Sequence, residues 1–271
     1  MRLAMWNVNS VQARLPRLLS WLEETRPDVL CLQETKAPDA GFPVAEVGEL
    51  GYQAALHGSG RWNGVAILSR AGLADVRRGF PGEPGFPDPE ARAISASCGG
   101  CRVWSVYVPN GRTVDNPHFA YKLSWLTALR DALAAELSPD GPGGETGGDA
   151  ARLAVCGDFN IAPHDDDVWD PAAFIGSTHV TPEERAALAR LLDLGLTDVP
   201  ARALKGPPFT YWDYRAGMFH KGMGMRIDLV LASGPVAAAV KDAYVDREAR
   251  KGKGPSDHAP IVVDLDLPAP A

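Results

Sequence analysis

Apolar residues along the chain fall mostly into short runs broken by Gly, Pro and polar residues, a spacing of strands more often than of helices. Leu153-Ala154-Val155-Cys156 is one such run, and it leads into Gly157-Asp158-Phe159-Asn160. Residues two apart on a strand point the same way, so a carboxylate and an amide would leave the sheet edge side by side. Such a pair suits holding and deprotonating a water. Taken alone, Gly, Asp and Asn favour a turn, with Gly157 opening the backbone. Other runs end in the same way. Residues 1–6 lead to Asn7 and Asn9, and the near-continuously apolar 29–32 reads as a buried strand ending in Gln33-Glu34. A carboxylate there is either solvated at the sheet edge or bound to a cation. Residues 52–57 and 65–69 form a strand pair, 93–97 and 102–108 another, and 226–232, 240–245 and 261–265 complete the set.

Helical spacing is rarer. Pro16 is expected in the first turn of a helix presenting Leu18, Leu19 and Leu22, with Pro27 ending it. Residues 116–137 place Phe119, Leu123, Leu126, Leu129 and Leu133 near one face. Thr181-Pro182-Glu183-Glu184 carries a cap, an N1 proline and a capping-box glutamate for a helix to about residue 194. Many strands with few helices between them predict two stacked sheets with helices outside.

Composition narrows this picture little. The 271 residues, 45% hydrophobic and 23% charged, are ordinary for a globular protein with ample core. Residues 139–148, rich in Gly and Pro, are expected to be a flexible insertion (about 138–150) in a single domain spanning 1–271, because strands and helices resume beyond it. Residues 81–89 read as an exposed loop. A formal charge of −7 argues against a generally basic nucleic-acid coat, yet leaves room for a local cationic groove. Cys31 and Cys156 read as core residues. Cys98-Gly99-Gly100-Cys101 has redox or zinc spacing but reads first as a hairpin. The chain opens on a strand-like run without a basic leader, and no apolar run reaches membrane-spanning length. A cytoplasmic, reducing location with no membrane partner is expected.

Six strand ends thus offer Asn7, Glu34, Tyr107, Asp158 with Asn160, Asp228, and Asp257 with His258. Their oxygens are hard ligands suited to Mg²⁺ or Mn²⁺, and no clustered Cys/His set selects zinc. His258 could hold a proton or donate to a phosphoryl oxygen, so activity is expected to change between about pH 5.5 and 8. The three acids after His164 read as a solvated loop. Aromatic 209–215 and the basic residues Arg247, Arg250, Lys251 and Lys253 could serve a substrate; packing and solvation are the plainer alternatives.

Seven segments in order carry a resemblance: Trp6-Asn7-Val8-Asn9, Leu32-Gln33-Glu34-Thr35-Lys36, Asn63-Gly64-Val65-Ala66, Tyr107-Val108-Pro109-Asn110-Gly111, Gly157-Asp158-Phe159-Asn160, Arg226-Ile227-Asp228 and Ser256-Asp257-His258-Ala259-Pro260. Together they resemble the exonuclease III branch of the endonuclease/exonuclease/phosphatase superfamily, from residue 1 to about 265. The resemblance implies a four-layered α/β sandwich of two six-stranded-type sheets, DNase I-like, with the site at one edge between them. It implies a monomeric, Mg²⁺-dependent DNA repair phosphodiesterase, with Mn²⁺ able to substitute. That enzyme would cut double-stranded DNA 5′ of abasic sites and remove nucleotides from 3′ ends. A superfamily phosphodiesterase or phosphatase acting on a non-DNA substrate is the alternative. On this resemblance Glu34 binds metal, with Asn7 beside it. Asp158 and Asn160 position and deprotonate the attacking water, and Tyr107 and His258 contact the scissile phosphate. Asp257 orients His258 or binds metal, and Asp228 supports the network. Asn9, Arg92 and Asn110 would contact substrate, and Tyr211, Trp212 and Met225 would form the pocket for a flipped abasic sugar. The lysine expected after the Tyr107 loop has no clear counterpart; His118 and Lys122 lie nearby.

Overall fold

The computed structural model describes residues 1–80, 90–138 and 151–267. The loop at 81–89 and all but Ser138 of the insertion at 138–150 lie outside the described residues. The strands are β1 (Arg2–Asn7), β2 (Val29–Gln33), β3 (Gln53–His57), β4 (Val65–Ser69), β5 (Ala74–Arg78), β6 (Ala93–Cys98), β7 (Cys101–Tyr107), β8 (Leu153–Asp158), β9 (Thr197–Asp198), β10 (Arg202–Ala203), β11 (Asp228–Ala232), β12 (Val240–Val245) and β13 (Ile261–Leu265). The helices are α1 (Val11–Thr25), α2 (Val44–Glu49), α3 (Pro117–Leu137), α4 (Pro182–Leu192), α5 (Met218–Lys221) and α6 (Gly234–Ala238).

Period-two alternation along the strands explains the layering. On β1, Leu3 and Met5 face the other sheet, whereas Ala4 and Trp6 face α1, where they meet Trp21 and Leu22. On β7, Val103 turns inward, and Trp104 and Val106 pack with Trp125 and Leu129 of α3. Strands buried on both faces must be mostly apolar, as β2 is up to its last residue, Gln33. The result is helix, sheet, sheet, helix: a four-layered α/β sandwich. One sheet runs β10-β12-β13-β1-β2-β4-β3 and the other β5-β6-β7-β8-β11-β9. The first exceeds the expected six strands because the two-residue β10 pairs with β12.

Local chemistry sets the ends of the helices. Asn116 caps α3 by accepting from the His118 N–H at 2.9 Å, and Thr181 and Glu184 form the expected capping box of α4. Helix α1 starts earlier than its proline predicts: Ser10 accepts from the Ala13 N–H at 3.3 Å, which leaves Pro16 inside the helix. The Cys98–Cys101 pair closes the β6–β7 hairpin, with Gly99 and Gly100 at φ 56° and 74°. All four cysteines are buried free thiols. Burial pushes Cys98 up to about 11 and Cys101 up to about 12, which makes this pair unreactive.

Asp167 departs from the solvated loop expected of it. Asp165 and Asp166 are exposed, but Asp167 is buried and takes Arg226 in a two-pronged ion pair at 2.6 and 3.0 Å. Among the described residues no helix is long and apolar enough to cross a membrane.

What this architecture does for the site is a matter of register. β1 and β2 are parallel, so Asn7 and Gln33 end side by side in one sheet. β7 and β8 are parallel in the other, pairing Tyr107 with Asp158, and antiparallel β11 begins with Asp228 opposite Asp158. Both sheets therefore deliver polar residues to one common edge.

Candidate active site

Glu34, Asp158 and His258 offer ligand atoms that all lie within 4.8 Å of one another. Asn7 bridges the two carboxylates: its amide nitrogen donates to Glu34 Oε1 at 2.9 Å and to Asp158 Oδ2 at 3.0 Å. Lys36 pairs with Glu34 Oε2 at 2.8 Å. The turns that aim these groups are left-handed at residues other than glycine: Asn9, Glu34, Lys36 and Asn160 have φ of 46°, 51°, 49° and 52°. Such conformations cost free energy, roughly 1 kcal/mol each, and are held by their surroundings. Here the backbone bonds Ser10 N–H to Glu34 O at 2.7 Å and Val11 N–H to Thr35 O at 2.9 Å tie the two loops together.

His258 stands against Asp228, with Nδ1 2.8 Å from Oδ2, while its Nε2 lies 3.7 Å from Asp158. The first contact is a hydrogen bond; the second is too long for one and leaves that N–H open to the cleft. Tyr211 packs on the imidazole at 4.9 Å between ring centroids. Burial lowers the affinity of His258 for its proton, but Asp228 and Asp158 outweigh it and raise the pKa to about 10. Asp158 is pushed up to about 7, chiefly by burial, with the His258 charge opposing and Asp228 and Glu34 adding to the rise. The group that titrates near neutrality is therefore Asp158 and not His258.

Burial also favours the protonated form of Glu34, yet Lys36 and Asn7 prevail and hold it ionised below its ordinary value. Tyr107 is driven well above 10 by burial and by Glu34 and Asp158, which keeps its hydroxyl protonated and able to donate. Arg92 stacks over the Tyr107 ring at 4.8 Å, and burial does not prevent its pKa from rising.

Asn160 is tethered from both ends. Its N–H donates to Asp158 Oδ1 at 2.9 Å, its side-chain amide donates to the Val108 carbonyl at 3.0 Å, and its Oδ1 accepts from Asn110 at 3.1 Å. The cleft thus gathers Asn7, Glu34, Tyr107, Asp158, Asn160, Asp228 and His258, with Arg92, Asn110 and Tyr211 beside them. Asn9 joins through its amide, which donates to Asp257 Oδ1 at 3.0 Å.

Three expected residues sit differently. Asp257 does not orient His258, because neighbours on an extended segment diverge, and the imidazole pairs with Asp228 instead. It also stands outside the close set of Glu34, Asp158 and His258. Trp212 is 1% exposed and packs into the core between the sheets, the alternate position to Tyr211. Met225 bonds through its backbone to Tyr211 and packs with Val168 and Ile227. In the basic 247–253 segment, Arg247 and Arg250 lie over Phe219 at 4.9 and 5.0 Å, so they brace the aromatic loop, whereas Lys251 and Lys253 are exposed.

Sequence reasoning gave Lys36 no role of its own, although it stands two residues from Glu34. It also left Lys122 unassigned and read Glu184 only as a helix cap. Lys122 and Glu184 form an ion pair with both side chains fully buried.

The donor set tests whether a cation fits. It is made of two carboxylates and one imidazole, and the four thiols are elsewhere in the core. Hard oxygens around an ionised Glu34 fit Mg²⁺ or Mn²⁺ better than zinc.

The model of the Endonuclease/Exonuclease/phosphatase family matches residues 5–258. Exodeoxyribonuclease III of Haemophilus influenzae is 31% identical over 96% of this chain and 98% of that protein. Among solved structures, the 3′-5′ exonuclease NExo of Neisseria meningitidis superposes with a TM-score of 0.89 at 40% identity, covering 98% of this chain and 100% of that one. An AP endonuclease of Archaeoglobus fulgidus gives a TM-score of 0.89 at 35% identity with the same coverage. Ordered motifs, fold and near-complete alignment agree: the chain belongs to the Endonuclease/Exonuclease/phosphatase family of hydrolases, in its exonuclease III branch.

Proposed function

We propose that this protein is a Mg²⁺-dependent DNA repair phosphodiesterase that incises double-stranded DNA 5′ of abasic sites and removes nucleotides from 3′ ends. The observation that carries the reading is the convergence of Glu34, Asp158 and His258 within 4.8 Å at an edge supplied by both sheets. Its structural relatives of equal TM-score are a 3′-5′ exonuclease and an AP endonuclease, which supports both activities.

Glu34 would hold the cation with the Asn7 amide beside it, and Asp257, bonded to Asn9, stands outside that close set. A bound divalent ion would neutralise charge developing on the phosphoryl oxygens. Asp158, poised near neutrality, takes the proton of the attacking water, and Asn160 orients that water through a side chain fixed at both ends. Protonated His258 donates its Nε2–H to a phosphoryl oxygen, and Asp228 keeps it charged while it does so. The Tyr107 hydroxyl donates from the other side, and Arg92 on its ring adds positive charge to that wall. Asn9 and Asn110 flank the path of the backbone, and Tyr211 lines the entry for an extruded sugar. Trp212 and Met225 shape that pocket from behind.

Every side chain named comes from one chain, so a monomer suffices, and the shared interior of the sheets supports one domain over 1–271. Four unpaired thiols fit a reducing cytoplasm. The test is a duplex carrying a single tetrahydrofuran abasic analogue, beside a duplex with a recessed 3′ end, each with Mg²⁺ and with chelator. The expected products are one nick on the 5′ side of the lesion and a ladder of shortened 3′ ends, both lost with chelator. Intact substrates after incubation with Mg²⁺ would reject the proposal.

A further inference from the structure

Lys122 projects from α3 with none of its side chain exposed, and its partner Glu184 on α4 is equally enclosed. Its ammonium has three protons and three acceptors: a Glu184 carboxylate oxygen, the Asn160 carbonyl at 2.7 Å and the Asn110 carbonyl at 3.3 Å. Those two carbonyls belong to separate loops, one following β7 and one following β8. The side chains of the same two residues meet on the cleft side, where Asn110 donates to Asn160 at 3.1 Å.

Glu184 is itself fully engaged. One oxygen also lies 2.7 Å from the Thr178 hydroxyl and 2.9 Å from the His179 N–H. The other accepts from the Thr181 N–H at 3.1 Å and its hydroxyl at 2.8 Å. The carboxylate therefore fastens the ammonium to the start of α4 and cannot drift with the loops. A buried ion pair adds little stability over apolar residues of the same volume, so stability does not account for its presence here.

We propose that Lys122, fixed by Glu184, is a positioning residue: it draws the Asn110 and Asn160 carbonyls onto one ammonium and so sets the side-chain bond between Asn110 and Asn160 on the cleft side, two residues from Asp158. The proposal rests on the nuclease reading above. Its mechanism is orientation, since displacing a polar group by about 1 Å can cost on the order of a hundredfold in rate.

The test is a double-mutant cycle. The paired variant Lys122→Met/Glu184→Gln removes both charges together and leaves a side-chain amide at position 184 that can still cap α4. In the otherwise wild-type protein it is expected to lower kcat about 30-fold with KM changed less than about threefold. In an Asn160→Ala background, where the side-chain bond to Asn110 no longer exists to be set, the same pair should lower kcat by less than about threefold. An equal loss in both backgrounds, or full activity in the paired variant, overturns the proposal. A second readout needs no turnover. In the free protein, the side-chain amide NMR signals of Asn110 and Asn160 should shift and broaden in the paired variant, and in Glu184→Gln alone should the pair prove unfolded; unchanged signals also overturn it. A wild type that cleaves neither DNA substrate rejects the nuclease reading, and the amide signals still decide the clamp.

Discussion

Asp158 and His258 face one another across the cleft with opposite demands on their protons. The proposed mechanism needs Asp158 ionised and His258 protonated. Asp158 titrates at about 7 and His258 at about 10, so kcat/KM should rise with pH up to about 7, level, and fall beyond about 10. A pH–rate profile flat from 5.5 to 8 would contradict this. Asp228 raises both values, one by like-charge repulsion and the other by attraction. Asp228→Asn should therefore move both limbs toward acid, by about one unit or more, and profiles of the two proteins side by side would show it. The polar strand ends that carry this chemistry were readable from the alternation of apolar and polar positions. The Asp228–His258 bond was not, because it joins residues 30 apart, whereas the chain places Asp257 next to His258 and thereby offers a false partner. Lys36 was hidden in the same way: whether it turns back toward Glu34 depends on a left-handed backbone that no pattern of hydrophobicity records.

β7 and β8 bring Tyr107 and Asp158 into register only by lying very close at the preceding pair, Val106 and Gly157. A Cβ on Gly157 would come 1.9 Å from the Val106 carbonyl oxygen, an atom of the backbone that cannot swing aside. Gly157 thus serves the strand by its lack of bulk, and the turn expected there begins only after Asp158. Gly157→Ala should destabilise by about 3 kcal/mol, a fall of roughly 6–12 °C in melting temperature, and should displace Asp158 enough to lower kcat as well. Thermal melts and single-turnover rates would measure both; a variant that melts and cleaves like wild type would refute the steric account. Local signals of this kind sort cleanly. The Gly99-Gly100 hairpin and the Thr181 cap were legible because each is written within a few residues. Pro16 misled because a proline can be accommodated inside a helix whose start is set upstream by Ser10.

The whole molecule carries a net charge of −7, yet its acids are unevenly committed. Many are consumed in ion pairs with arginine away from the cleft, such as Asp264 with Arg2, Asp75 with Arg77 and Asp242 with Arg202. The acids at the sheet edge are different: Glu34, Asp158 and Asp228 crowd together, and the two neighbours add to the rise that burial gives the pKa of Asp158. Glu34 follows a strand of one sheet and Asp158, which faces it, ends a strand of the other, so a cation held by Glu34 at this edge would bind the folded sandwich and nothing that survives unfolding. Linkage then requires Mg²⁺ to stabilise the fold in a concentration-dependent way. At a hundredfold excess over its Kd the gain is about 2.7 kcal/mol, or roughly 5–11 °C in Tm for a chain of this size. Glu34→Gln should lose most of that rise, and Asn110→Ala, whose amide lies outside the close donor set, should keep it. Melts across a Mg²⁺ series would decide the matter without reference to turnover. A Tm indifferent to Mg²⁺ in the wild type, or a rise undiminished in Glu34→Gln, would mean that Glu34 does not hold an ion at this edge.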